Sequence, residues 1–331
     1  MISSTKKIVL FSRDDRTFNL FRKSWVVALN ELNTDYLICN RGFGIFRLVL
    51  AVYKFIKLNK KIRVIFGTSE ICLYMLISSK KDILVFTGLG RLLQRPGPIK
   101  MLIENFLRYN YRQQKIVALN PEDVTYLEDV FRSKIILLNG EGFDFKIGLP
   151  AERNKSYPIV IAYVGRLLKS KGVDRLVKAF MKLSHLNCEL RLIGDFDFAN
   201  SDSLSLEWLD QMRSCSNGKI SCYGFVNNVR ELLNDVDIYV SLSEREGLPF
   251  SVLEAIEAGC FIVLSPVPGH LSFSDLSGIA FEGSEDLQTI LGAILADTTK
   301  YYNFDSAERL EICNARFGIQ SIITVIKSKI L

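Results

Sequence analysis

At 331 residues and 48% hydrophobic content, the chain can bury two cores of ordinary size, and no stretch is repeated or of low complexity. Its formal charge of +6 divides unevenly: residues 1–150 hold 24 Lys+Arg against 13 Asp+Glu, net +11, and residues 151–331 hold 18 against 23, net −5. A run of apolar residues long enough to span a bilayer is excluded, because the richest, Gly42 to Leu58, is broken by Arg47, Lys54 and Lys57; the seven cysteines lack any C-x-x-C pair, which excludes a zinc site or disulfide framework of ordinary spacing.

The start, Met1 to Lys7, leads straight into an apolar strand without signal-peptide architecture, so the expected compartment is the cytoplasm. Short apolar strands then alternate with helical patterns, at 7–11, 36–39, 63–66, 83–86, 115–119 and 135–138. Such alternation predicts a parallel sheet with crossover helices on both faces. Between the second and third strands, a helical pattern from Phe43 to Lys61 lines up Arg47, Lys54, Lys57 and Lys61 on one stripe. That is either the solvated face of a core helix or an element that meets an anionic membrane. Phe106, Leu107, Arg108, Tyr109, Tyr111 and Arg112 add basic-aromatic surface of the same character. No recognised nucleic-acid-binding signature accompanies this charge, so nucleic acid is not the expected partner. Thr87-Gly88-Leu89-Gly90 reads as a strand-to-helix turn, and Asn120-Pro121 as a capped helix start. The polar stretch Asn139 to Tyr157 is the linker, dividing the chain into 1–147, 148–310 and a last helical segment, 311–331, that can cross back to the first domain.

The second half repeats the alternation, with strands at 159–164, 189–193, 219–222, 238–242 and 261–264. Gly165-Arg166-Leu167-Leu168-Lys169-Ser170-Lys171-Gly172 joins the first of these to a helix whose Val173, Leu176, Val177, Phe180 and Met181 form a buried stripe. Loops of this kind line the ligand crevice of an open α/β sheet. Arg166 supplies a planar donor fork and Lys171 a compact charge, a pair suited to a diphosphate that gains negative charge as it leaves. Two Asp-x-Asp triplets, Asp195-Phe196-Asp197 and Asp235-Val236-Asp237, read as local capping rather than as metal ligands, so no metal is expected. After the strand at 238–242, Gly247 and Pro249 break the backbone and Phe250 to Ala258 reads as a helix. Its first N–H groups, at Phe250 and Ser251, can receive a phosphate, and Glu254, one turn in, can accept a pair of vicinal hydroxyls. Glu246, in the loop before the helix, would face the group beyond the phosphates.

These pieces, with Leu192-Ile193-Gly194-Asp195, Tyr223-Gly224-Phe225-Val226 and Ala255-Ile256-Glu257-Ala258-Gly259, resemble the family-4 retaining glycosyltransferases of the GT-B fold, in which two doubly wound Rossmann-like domains face each other across a cleft. The N-terminal half matches more loosely, through Thr87 to Gly90 and Ala118 to Asp123, and looks like the subset that extends lipid-linked sugars in bacterial surface-polysaccharide and O-antigen assembly. The resemblance implies a hexosyl or N-acetylhexosaminyl transfer with no cofactor. The donor it implies is a nucleotide sugar, with UDP as the expected nucleotide, and the implied acceptor is a polyprenyl-diphosphate-linked saccharide at the inner face of the cytoplasmic membrane. It assigns Arg166 and Lys171 to the departing diphosphate, Glu246 to the sugar, and Glu254 to the ribose. Gly165, Phe225, Val226, Phe250 and Ser251 belong to the donor site, and Thr87, Gly88 and Gly90 to the acceptor side. Both histidines, His185 and His270, lie in the second half, so the N-terminal histidine common in the family is missing; Leu271-Ser272 stands where Pro-Glu is usual. Rival readings are a sugar-nucleotide epimerase on the same fold and a non-catalytic nucleotide-sugar-binding partner subunit.

Overall fold

Short runs of mainly apolar residues, rich in β-branched side chains, form the strands, as expected where both faces of a parallel sheet are covered. The computed structural model describes residues 8–12, 22–40, 52–57, 61–74, 79–89, 93, 97–110, 113–146, 158–283, 286–297 and 303–331. It divides into two compact units, Met1–Asp144 with Asn314–Leu331, and Phe145–Cys313.

In the first unit, β1 (Ile8–Ser12), β2 (Tyr36–Asn40), β3 (Ile62–Phe66), β4 (Ile83–Phe86), β5 (Lys115–Ala118) and β6 (Ile136–Leu137) form a parallel sheet in the order β2-β1-β3-β4-β5-β6. The helices are α1 (Lys23–Glu31), α2 (Thr68–Tyr74), α3 (Pro98–Asn110) and α4 (Pro121–Phe131), with residues 52–57 also helical. Alternate strand residues feed opposite cores: Val9, Phe11, Ile65, Leu84 and Phe86 pack with Leu107 and Leu127, while Ile8, Leu10, Val64, Phe66 and Val85 pack with Trp25. The second of these cores is closed by Ile322, Ile323, Ile326 and Ile330 from the chain's end. At the start of α4 the Asn120 side chain accepts the Asp123 N–H at 2.8 Å, and Pro121 opens the helix without wasting a donor.

The second unit holds β7 (Ile159–Val164), β8 (Cys188–Ile193), β9 (Ile220–Cys222), β10 (Ile238–Ser241), β11 (Phe261–Leu264) and β12 (Ile279–Phe281) in the order β12-β11-β10-β7-β8-β9, all parallel. Its helices are α5 (Val173–Leu183), α6 (Leu206–Cys215), α7 (Val229–Leu233), α8 (Phe250–Glu257), α9 (Pro268–Leu271) and α10 (Leu287–Ala296). The chain builds outward from β7 to β9, then returns to β10 and builds the other way. The sheet therefore reverses direction between β7 and β10, and the loops leaving those strands flank a crevice. Val173, Leu176, Val177, Phe180 and Leu183 of α5 are buried, and Met181 packs at the edge of the same core.

Two expectations change. The edge strand β12, three residues long and only partly buried, is absent from the sequence-based set. The single terminal helical pattern from Ser306 to Lys329 is split at Gly318, whose extended backbone (φ −65°, ψ 149°) separates α11 (Ser306–Phe317) from α12 (Ile319–Val325).

Candidate functional site

The loops after β7, β8 and β9 and the turn after β10 carry the sequence-selected residues, and close backbone contact locks them together. Gly194 has φ +145°, and a Cβ there would stand 1.9 Å from the Gly165 carbonyl oxygen. The β7 and β8 loops can approach this closely only because that side chain is missing. Gly172 (φ +72°) lies against Leu242, where a Cβ would stand 2.4 Å from the leucine Cβ, and the Glu244 N–H donates to the Ser170 carbonyl at 2.9 Å. The phosphate-type loop after β7 is thereby stitched to the turn after β10.

On this frame Lys171 Nζ meets Glu246 Oε1 at 2.6 Å, with the two side chains 24% and 17% exposed. Ser243 Oγ donates to the same oxygen at 2.7 Å. Among the described residues, both hydrogen bonds of Glu246 fall on Oε1. Arg166 pairs with Asp197 at 2.7 Å and remains 60% exposed, so this contact is weak and readily exchanged. Glu254, on α8, is held beside Arg230 and Glu257; burial raises its pKa to about 7, with Arg230 pulling it down and Glu257 adding to the rise. Tyr239 lies beneath this arrangement, fully buried, and donates from its hydroxyl to Ser251 Oγ at 2.9 Å. Burial raises its pKa, and the charges of Glu246 and Glu254 raise it further. Tyr163, buried in β7, donates to the Arg166 carbonyl at 2.9 Å and fixes the turn in which that arginine sits.

Gly165, Arg166, Lys171, Glu246, Phe250, Ser251 and Glu254 thus belong to the two strand ends at the β7/β10 reversal. No side chain caps α8 at Pro249. Phe225 and Val226 follow β9; Phe225 is exposed, and its N–H donates to Asp195 Oδ1 at 3.1 Å. In the second Asp-x-Asp triplet Asp235 takes a bidentate pair from Arg191 at 2.6 and 2.7 Å, and Asp237 accepts the Val160 N–H at 2.9 Å. In the first unit Thr87 and Gly88 follow β4, and the Gly88 carbonyl accepts from Thr68 Oγ1 at 2.6 Å. Gly90, Arg47, Tyr111 and Arg112 lie outside the described residues.

Leu107 corrects one expectation. It is fully buried in the first unit's core rather than on a surface, and Arg108 is partly buried, donating to the Val130 carbonyl at 2.8 Å. Tyr109 is exposed as expected, and helix α3 also exposes Met101 and Leu102. In the polar layer under the Glu246 turn, Ser241, Ser243 and Ser265 were not singled out in the sequence, and His270 was named there without a role. The layer's only signal is a serine at or just beyond the end of each of the adjacent strands β10 and β11.

Residues 149–297 match the family model described as glycosyl transferases group 1. The O-antigen biosynthesis glycosyltransferase WbnH of Escherichia coli is 28% identical over 184 residues, 55% of this chain and 50% of that protein. An N,N'-diacetylbacillosaminyl-diphospho-undecaprenol alpha-1,3-N-acetylgalactosaminyltransferase of Campylobacter jejuni is 25% identical over 187 residues, 52% of this chain and 47% of the relative. The chain spans about half the length of the curated relatives it matches. Among solved structures, Anabaena HepE in complex with UDP superposes with a TM-score of 0.71 at 14% identity, covering 97% of this chain and 98% of that one. WaaG, a glycosyltransferase involved in lipopolysaccharide biosynthesis, gives 0.68 at 13% identity over 97% and 100%. The two six-stranded Rossmann-like units are those of the GT-B fold.

Proposed function

We propose that the chain is a retaining glycosyltransferase that moves a sugar from a UDP-linked donor to a polyprenyl-diphosphate-linked saccharide in surface-polysaccharide assembly. The observation that carries this reading is the Lys171–Glu246 pair at the β7/β10 reversal, one cation and one carboxylate held 2.6 Å apart where an open α/β sheet takes its ligand. Further support comes from the UDP complex of HepE and from the undecaprenol-linked compound named for the Campylobacter relative.

In this mechanism the donor diphosphate lies against Lys171 and Arg166, displacing Asp197 from the exposed arginine. Both cations stabilise the charge that develops as the sugar–phosphate bond breaks. The leaving oxygen takes the proton of the incoming hydroxyl on the same face of the sugar, so no separate protein base is required. Glu246 Oε2 holds sugar hydroxyls and Glu254 the ribose. Phe225 and Val226 border the base, and the N–H groups of Phe250 and Ser251 approach the phosphates. Thr87 and Gly88, which follow β4, are assigned to the acceptor. Since Arg166 and Lys171 supply the positive charge a cation would bring, the transfer needs neither metal nor cofactor. The net positive charge of the first unit supports a reading in which the enzyme works at the inner face of the cytoplasmic membrane.

Titration calorimetry with UDP in buffer containing EDTA tests the donor half of this reading. Saturable binding is expected, weakened by Arg166→Ala and by Lys171→Ala. Binding that appears only after Mn²⁺ is added would assign the diphosphate to a metal instead.

A further inference from the structure

His270 sits in α9 with none of its surface exposed, directly beneath the Glu246 turn. Its Nδ1 lies 2.9 Å from the Ser265 carbonyl oxygen, an acceptor only, so Nδ1 carries the ring proton and donates it there. Nε2 is then an acceptor, and it faces Ser241 Oγ at 3.3 Å. A neutral imidazole offers one donor and one acceptor, which matches the two groups presented by the ends of β10 and β11. Burial holds the ring neutral by lowering its pKa, against the opposing pull of the Glu246 carboxylate.

From this clamp a line of hydrogen bonds runs to the functional carboxylate. Ser265 Oγ, 3.2 Å from Nδ1, donates to the Ser243 carbonyl at 2.6 Å, and Ser243 Oγ donates to Glu246 Oε1 at 2.7 Å. The three serines are 5% exposed or less, so no water is at hand to replace a lost partner. A second contact reaches the same turn from α9. A Cβ on Gly269 would stand 2.5 Å from the Gly247 carbonyl oxygen and 2.8 Å from that of Glu246, so the backbone beside His270 braces the peptide that carries the carboxylate.

We infer that His270 is a positioning residue for the transfer reaction, setting the orientation of Glu246 through Ser265 and Ser243 without touching the donor. The inference rests on the function proposed above. It goes beyond that reading by assigning a role to a buried histidine to which the sequence reading gave none.

The test uses the full chain and UDP-glucose, UDP-galactose and their N-acetylhexosamine counterparts, reading UDP release for turnover and UDP calorimetry for affinity. His270→Leu should lower turnover about 10–100-fold, the scale of a misplaced sugar-orienting group, and leave UDP affinity within about twofold. His270→Asn, whose amide nitrogen can stand where Nδ1 stands, should recover most of the loss. In a Glu246→Gln background, His270→Leu should cost little more, because residues acting through one group are not additive. Ser243→Ala, a smaller change at the other end of the line, should reproduce the turnover defect if His270→Leu does not fold. Full additivity of His270→Leu with Glu246→Gln, or UDP affinity falling in step with turnover, would overturn the positioning role. Failure of the unmodified chain to bind UDP would instead overturn the donor site itself.

Discussion

Glu254 sits one turn into α8, and burial raises its pKa to about 7, opposed by Arg230 and reinforced by Glu257. For a carboxylate raised in the folded state, the stabilising contribution is fully present below its ordinary value of 4.5 and is lost as pH rises through about 7. Glu254→Gln should therefore raise the Tm at pH 8 and change it little at pH 4.5, a comparison that differential scanning calorimetry can make. Only the ionised carboxylate accepts from both hydroxyls of a ribose, so UDP affinity should climb more steeply between pH 6 and 8 in the unmodified chain than in Glu254→Gln, where only the ionisation of the UDP phosphate contributes. Equal pH dependence in both proteins would remove Glu254 from the ribose. Glu246→Gln should instead depress turnover with UDP affinity kept, since its free oxygen is assigned to the sugar. The sequence disclosed these carboxylates because glycine and proline mark the turn that holds them. It named His270 without a role and did not disclose the layer of Ser241, Ser243 and Ser265 around it, because isolated serines and a lone histidine carry no spacing. Only the folded sheet brings the ends of β10 and β11 side by side.

The strands were legible as short apolar runs because a parallel sheet covered on both faces needs apolar side chains on both. Strand β12 escaped for the opposite reason: it is an edge strand of three partly buried residues following Gly278. The break at Gly318 was hidden within a continuous helical pattern, yet a Cβ at that position would stand 2.2 Å from the Asn314 carbonyl oxygen. Loop-to-loop contact is the other property that a linear reading cannot supply. Gly194 illustrates it: with φ +145° and the Gly165 oxygen 1.9 Å from its would-be Cβ, alanine would force the ends of β7 and β8 apart. Gly194→Ala should lose about 3 kcal/mol of stability by denaturant titration, combining backbone strain with the displacement. The same variant should weaken UDP binding, because Arg166 follows Gly165 in the displaced loop. A loss of under ~0.5 kcal/mol would show that the two loops can separate freely.

Charge divides along the units more sharply than along the halves of the sequence. The first unit, Met1–Asp144 with Asn314–Leu331, holds 26 Lys+Arg against 13 Asp+Glu, net +13, and the second holds 16 against 23, net −7. Among the described residues no helix is long and apolar enough to cross a membrane. Lys54 and Lys57 are exposed beside the exposed Tyr53 and Ile56, and α3 exposes Met101 and Leu102 at 64% and 69%. A surface of this kind should bind anionic vesicles in two parts. Each lysine near the bilayer contributes about 1 kcal/mol that salt screens, while inserted apolar side chains hold on at high salt. In vesicle co-sedimentation, Lys54→Gln with Lys57→Gln should weaken binding at low salt, and Met101→Ser with Leu102→Ser should remove what survives at high salt. Equal binding by all three proteins would make these faces ordinary solvated surface. The central claim is that the β7/β10 reversal performs transfer from a nucleotide sugar, and UDP release from UDP-glucose, UDP-galactose and their N-acetylhexosamine counterparts measures it most directly. The unmodified chain should release UDP from at least one of the four, and Lys171→Ala, folded to the same Tm, should do so about 10²–10³-fold more slowly. Release at an undiminished rate by Lys171→Ala, or none from any donor by the unmodified chain, would contradict the account.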